Sequence, residues 1–390
     1  MKKKRNRKVF YNPTILLFLI LIIGSCTGND INTGHNGSPE QTAGSGTQDH
    51  PEPAYTTPPF TQKEIADPVN LPVEVFAKYE AYARPGPVIP GLFQDAVPQG
   101  IAYIPDEELL LISNYMFDGR TGSVAVIALE DNEADGRLEK VVWFHDNDGS
   151  QHGGHMGGIA VSGAWLWIAS SSSFYQVPLT AVLEAENNEI LLLGDPLTTE
   201  VTCSAAAADS GILYISEFRS RDGSYRTKRS HYLETASGGK NHALAAGFYL
   251  DESTGDIPSA GIIDGTAYPD FYLSIPDQVQ GMTFIDGYIV LSQSYGRRNN
   301  STLSVYRSPM GNTQDAEFTL SNGTTVPVWR LDSSNLISVL TAPPMTEGIV
   351  NIGGELALLY ESGSDKYRDT AGFPQSRVHI ISAEILNSSR

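Results

Sequence analysis

Five stretches of the chain repeat one alternation of apolar runs and small or polar breaks. They read QGIAYIPDEELLLISN from Gln99, GGIAVSGAWLWIAS from Gly157, SAAAADSGILYISE from Ser204, QGMTFIDGYIVLSQ from Gln280 and EGIVNIGGELALLYE from Glu347. Each starts on a small or polar residue and enters a short apolar run. A tight turn follows, then a strongly apolar run that ends on a polar residue. The turns fall at Pro105-Asp106, Gly163-Ala164, Ser210-Gly211, Asp286-Gly287 and Gly353-Gly354. Asp-Gly and Gly-Gly between β-rich runs predict hairpins, because type I′ turns need positive φ. Runs that are apolar on both faces predict strands buried on both sides.

Further strand-like runs follow the hairpins. They are Ser123–Leu129 and Lys140–His145, Ala243–Leu250 and Phe271–Ile275, Thr302–Tyr306 and Val326–Leu331, and a last run, Arg377–Ile385. A buried hairpin with two outer strands is one propeller blade. The repeat starts lie 58, 47, 76 and 67 residues apart. Compact blades take roughly 40–50 residues, so long loops must absorb the excess. The segment Lys78–Leu92 is available to supply the strand the last repeat lacks. The pattern predicts an all-β chain folded as a β-propeller, of five blades with six as the alternative, closed by an N-terminal strand. A β-sandwich of irregular strands would not produce one recurring hairpin.

The blade starts QGIAY, GGIAV, QGMTF and EGIV resemble those of streptogramin-lyase-like and gluconolactonase-like (SMP-30) propellers, over about residues 97–385. The resemblance is one of fold pattern. It implies a calcium in the central channel for the lactonase type, with Glu347 standing where that family places its glutamate. The other starts, Gln99, Gly157, Ser204 and Gln280, supply no Asp or Asn. For the lyase type it implies a histidine and a glutamate at the channel mouth. His155 as base, with Glu217 or Glu347 in support, would imitate this.

Propeller geometry says where the polar ends point. The first strand of each blade lines the channel and the second runs back, so the starts and the hairpin ends share a face. That face collects Gln99, Gly157, Ser204, Gln280 and Glu347, and also Asn114, Ser170, Glu217, Gln293 and Glu361. The stretch HDNDGSQHGGHMGG at 145–158 feeds the second start, which adds His152 and His155. Four long loops leave the same face: Tyr115–Gly122, Phe218–His242, Tyr295–Ser301 and Ser362–Gln375. They carry 11 basic residues, Arg219 and Arg297 among them. Arginine forks recognise carboxylate, phosphate or sulfate, so this face is expected to prefer a polar or anionic ligand. Solvated loop charge is the plainer reading of the same residues. Tyr115, Phe117, Phe218, Tyr225, Tyr295 and Tyr367 on these loops either stack on a ligand or pack the loops down.

Individual chemistries add little to this. His145, Asp146, Asp148, His152 and His155 have ligand atoms, but His152-Gly-Gly-His155 is not a helical zinc pair. Asp146-Asn147-Asp148-Gly149 lacks the EF-hand register. A glycine-shaped polar turn is the simpler expectation. Cys203 begins the third channel strand, where a small buried hydrophobe is expected more than a nucleophile.

The N-terminus carries a separate signal. Lys2, Lys3, Lys4, Arg5, Arg7 and Lys8 precede an apolar run at Ile15–Ile23. Nine apolar residues are too few to span a bilayer and suit a secretory signal. The run ends in Ile23-Gly24-Ser25-Cys26, which resembles the lipobox of bacterial lipoproteins. Residues 1–26 then form a lipoprotein signal with Cys26 as its lipidated end. The resemblance implies that Cys26 becomes the mature N-terminus and attaches the chain stably to the membrane. Residues 27–59 are rich in Gly, Ser, Thr, Asn and Pro and read as a flexible tether. Residues 60–390 form the folded domain.

Of 26 Lys and Arg, the six before Cys26 leave 20 against 45 Asp and Glu. Such acidity argues against nucleic acid as a partner. The leading expectation is a membrane-anchored extracytoplasmic propeller whose funnel binds a polar or anionic ligand: a glycan, a peptide or an envelope protein. The alternative is a hydrolase or lyase using the same face, and a third is a purely structural platform.

Overall fold

The computed structural model describes residues 59–129 and 136–387. The leader, Cys26 and all but the last residue of the tether lie outside the described residues. Within them the chain is nearly all β and winds into five blades. Blade one pairs Ala96–Ile104, Leu109–Met116, Ser123–Ala128 and Arg137–His145 in order. Blade two takes Gly158–Ser162, Trp165–Ser170, Ser173–Pro178 and Leu197–Thr198. Blade three takes Ala205–Asp209, Ile212–Ser216, Ala243–Tyr249 and Phe271–Ile275. Blade four is Val279–Ile285, Tyr288–Gln293, Ser301–Arg307 and Leu336–Ala342. Blade five is Thr346–Ile352, Glu355–Tyr360, Arg377–Ile381 and the N-terminal strand Ala83–Val88, so the ring closes as the apolar pattern predicts.

The hairpin turns follow from their residues. Ser210 and Gly211, Asp286 and Gly287, and Gly353 and Gly354 all have positive φ, as type I′ turns require. The second strands are buried on both faces: Leu110, Leu111 and Ile112 are at most 1% exposed. Each blade is sandwiched between two others, so neither face meets water.

The glycine that follows four of the five starts has a packing cause; Ala205 takes its place in blade three. A Cβ on Gly100 would meet the Ile159 backbone nitrogen at 2.6 Å, and one on Gly158 the Ala206 nitrogen at 2.4 Å. On Gly281 it would meet Gly348 Cα at 2.9 Å, and on Gly348 the Ile101 nitrogen at 2.9 Å. Innermost strands of neighbouring blades thus touch backbone to backbone around the axis, where a side chain has no room.

The ring has five blades, the number the repeat pattern favours over six. One expectation needs correction. The run at Val326–Leu331 is not the outer strand of blade four. Its strand, Thr325–Arg330, pairs in parallel with the outer strand of blade three, Tyr272 opposite Val328, and carries the hairpin partner Ala316–Thr319 with it. Leu336–Ala342 takes the place in blade four. Both runs are β-branched and amphipathic, so the pattern predicts strand without predicting its partner.

The helix Val73–Tyr82 buries Phe76 and Tyr79 and packs on Leu336–Ala342, covering that exposed sheet edge. Tyr79 Oη lies 2.6 Å from Tyr360 Oη and 2.6 Å from His379 Nδ1, which ties the helix to the closing blade. No helix among the described residues is long and apolar enough to cross a membrane.

Candidate functional site

A cavity of about 590 Å³ opens at one end of the channel. All five blade starts line it: Gln99, Gly157, Ser204, Gln280 and Glu347. Glu361, His155, Arg226, Arg297 and the rings of Phe218, Tyr225, Tyr295 and Tyr367 line it as well. The volume lies within the roughly 300–1,000 Å³ of small-molecule sites.

The floor is a pair of carboxyls hydrogen-bonded to two amides. Gln280 Nε2 donates to Glu347 Oε1 at 3.0 Å, and Gln99 Nε2 donates to Glu361 Oε2 at 3.2 Å. Glu347 and Glu361 are neighbours at this floor, and each carboxyl acts on the ionisation of the other. Burial, and then the Glu361 charge, drive Glu347 well above the usual carboxylate range. Burial lifts Glu361 to about 7, against the pull of its hydrogen bonds and of the Lys366 and Arg297 charges. Two like carboxylates in contact cannot both ionise cheaply.

The wall is aromatic and cationic. Lys366 Nζ donates to Tyr115 Oη at 2.7 Å and sits over the rings of Tyr115, Phe117 and Tyr367 at 4.7, 5.4 and 5.0 Å. Arg297 lies over the Tyr367 ring at 5.0 Å and donates to Thr370 Oγ1 at 2.9 Å. His155 stacks on Tyr115 with ring centres 4.2 Å apart. Its residue surface is exposed at the mouth, yet the wall crowds the ring. That desolvation, with the Lys366 charge adding, pulls the imidazole down to about 4. Phe218, Tyr225 and Tyr295 form a second set of rings, with centres 5.4 to 6.3 Å apart.

Other predicted residues lie behind this surface. Asn114 is fully buried, its amide donating to Ile112 O at 3.2 Å. Gln293 is spent on the Asp277 carbonyl and the Ser304 hydroxyl. His152 is buried between Asp146 Oδ1 at 2.7 Å and Ser170 Oγ at 2.9 Å. Glu217 is buried against His231 Nδ1, 3.0 Å from each oxygen, and accepts the Leu244 N–H at 3.0 Å. Arg219 bonds the Ser220 carbonyl and lies over Tyr232. None of these five lines the cavity. For Asn114, Gln293 and Glu217 the reason is distance from the axis: the second strand of a blade sits about 4.8 Å further out than the first, so its end is screened by its neighbour. Ser171, Ser294 and Glu361, each one residue past its second strand, do line the cavity.

The stretch 145–158 is a polar turn, as its glycines suggest. Asp146 N–H donates to the Ser150 carbonyl, Gly149 has φ of 84°, and His145 Nδ1 lies 2.9 Å from the Gly149 carbonyl oxygen. Cys203 lines the cavity, but burial pushes its thiol up to about 12, so it stays protonated. The donor set does not fit the calcium that the lactonase resemblance implies. No three His, Cys, Asp or Glu side chains group as a cation would require among the described residues, and Glu347 faces one neighbouring carboxyl and neutral amides.

No family model matches the chain, and no curated protein matches it by sequence. Among solved structures the chain is similar to a GH43_1 enzyme from Xanthomonas citri, at 13% identity over 78% of this chain and 91% of that one, with a TM-score of 0.38. It is similar to a glucose-dehydrogenase-type oxidoreductase from Thermus thermophilus at 12% identity, over 77% and 99%, with a TM-score of 0.36. Likenesses this distant say nothing about chemistry; the blade assignment rests on the strand pairing described above.

Proposed function

We propose that this chain is a lipid-anchored, extracytoplasmic propeller that binds a small polar or anionic ligand in its funnel. The observation that carries the reading is the meeting of all five blade starts with Glu361 in one cavity. Amides and an acid pair with raised pKa values offer both donors and acceptors, while rings and guanidinium groups line the way in. The lipobox at Cys26 and the tether support the location. Thr202 is exposed and lines the cavity, so Thr202→Trp fills it without disturbing the core. In titrations against a panel of sugars, short peptides and organic acids, followed by tyrosine fluorescence, every ligand of the native protein should be lost in this variant. Ligands bound equally by both would overturn the reading.

A second reading is catalysis by the acid pair, favoured by a Glu361 that titrates near neutral pH and a neutral His155 at the same mouth. Proton abstraction or addition is the chemistry such a pair suits. For such an enzyme, Glu361→Gln would abolish turnover and keep binding.

A further inference from the structure

The cavity's charge and surface narrow the class of ligand, and the narrowing rests on the binding reading above. The chain carries a formal charge of −19, and some arginines outside the cavity find carboxylates. Arg84 pairs with Glu355, Arg330 with Asp315 and Arg368 with Asp365. Arg226 and Arg297 are in no ion pair among the described residues. Arg226 donates through Nε to the Gly223 carbonyl at 3.0 Å, and Arg297 through one terminal nitrogen to Thr370. Several surface arginines also lack a carboxylate. These two differ in lining the same cavity, with Lys366 close behind Arg297.

The ligand must satisfy three surfaces at once. Two guanidinium groups call for one anionic substituent. The Glu347–Glu361 pair forbids a second, because a further anion would meet a carboxylate at the floor. Gln99, Gln280 and the acid pair mix donors with acceptors, which suits hydroxyl groups that both give and accept hydrogen bonds. The aromatic faces suit the C–H surface of a compact ring.

We infer that the cavity takes an acidic sugar, a hydroxylated ring bearing one carboxylate or sulfate. Arg297 and Arg226 hold the anion, Gln99, Gln280 and the acid pair take the hydroxyls, and the Tyr295 and Tyr367 side packs the ring. No bond is made or broken in this step.

The test is calorimetric titration of the purified protein with D-galacturonate, D-glucuronate and galactose 6-sulfate, each against neutral galactose or glucose. The acids should bind at least about tenfold tighter than their neutral partners, a difference of about 1.4 kcal/mol. Both arginines are exposed, so the Arg226→Ala/Arg297→Ala protein should fold normally. It should lose the preference and bind acid and neutral sugars with equal affinity. A preference confined to the carboxylates or to the sulfate identifies which anion the forks serve. Equal affinity for acid and neutral sugars in the native protein would overturn the inference. So would an acid preference that survives the double substitution, or the binding of no sugar at all. In each of these cases the broader binding reading is judged separately, by whether Thr202→Trp abolishes whatever ligands the panel yields.

Discussion

Glu361 is the residue through which pH acts on this site. Its pKa in the folded chain, about 7, lies above the ordinary value of 4.5. The stability contributed by the neutral form is therefore complete below about 4.5 and lost as pH rises through 7. Glu361→Gln removes the charge that burial penalises. Its melting temperature should exceed that of the native protein at pH 8, with the difference gone at pH 5. Calorimetry at the two pH values checks this; a variant less stable at pH 8 would contradict it. The same ionisation places negative charge on the cavity floor, so affinity for an anionic ligand should fall above pH 7 and do so less in Glu361→Gln. His152 shows what a sequence hides at this scale. Its glycine-rich setting suggests exposure, yet it is buried between Asp146 and Ser170. Removing one partner of a buried hydrogen bond costs about 1–3 kcal/mol, so Ser170→Ala should destabilise the fold by that amount in urea melts without changing ligand affinity. A loss of affinity at unchanged stability would instead assign His152 to the site.

At the level of elements, legibility followed local chemistry. The five buried hairpins could be read because turn residues and double-sided apolar runs are local signals. The closing strand inside Lys78–Leu92 could be read only because blade five needed a fourth strand. The partner of Thr325–Arg330 could not, since its attachment to blade three depends on a long-range parallel pairing. Side-chain direction at strand ends was also out of reach. The starts Gln99, Gln280 and Glu347 reach the cavity, whereas Asn114, Gln293 and Glu217 are consumed by backbone or by neighbours such as His231. His231 lies in a long loop that gave no sign of folding back on Glu217. The innermost glycines give a test of the ring. Gly348→Ala forces a methyl against the Gln99 carbonyl oxygen, 3.0 Å away, and the Ile101 nitrogen. Overpacking of this kind costs about 1–3 kcal/mol. Thermal or urea unfolding should show that loss, while Gly153→Ala, with open space around its Cβ and no positive φ, should cost less.

For the whole molecule, the proposed function gives the leader and Cys26 the task of anchoring and the ring the task of binding. If Cys26 is the acylated residue, Cys26→Ser should abolish incorporation of labelled fatty acid while leaving ligand affinity intact; undiminished label in the variant would remove the lipid anchor. The ring collects the starts of five distant stretches, four of them with polar side chains. It sets them beside arginines that an acidic chain leaves without carboxylate partners. The measurement that bears most directly on this convergence is a crystal structure of the protein grown with D-galacturonate. The sugar should lie within hydrogen-bond reach of Gln99, Gln280 and the Glu347–Glu361 pair, its carboxylate toward Arg297. A closed five-bladed ring with the sugar bound elsewhere, or with those side chains turned away from one another, would contradict it.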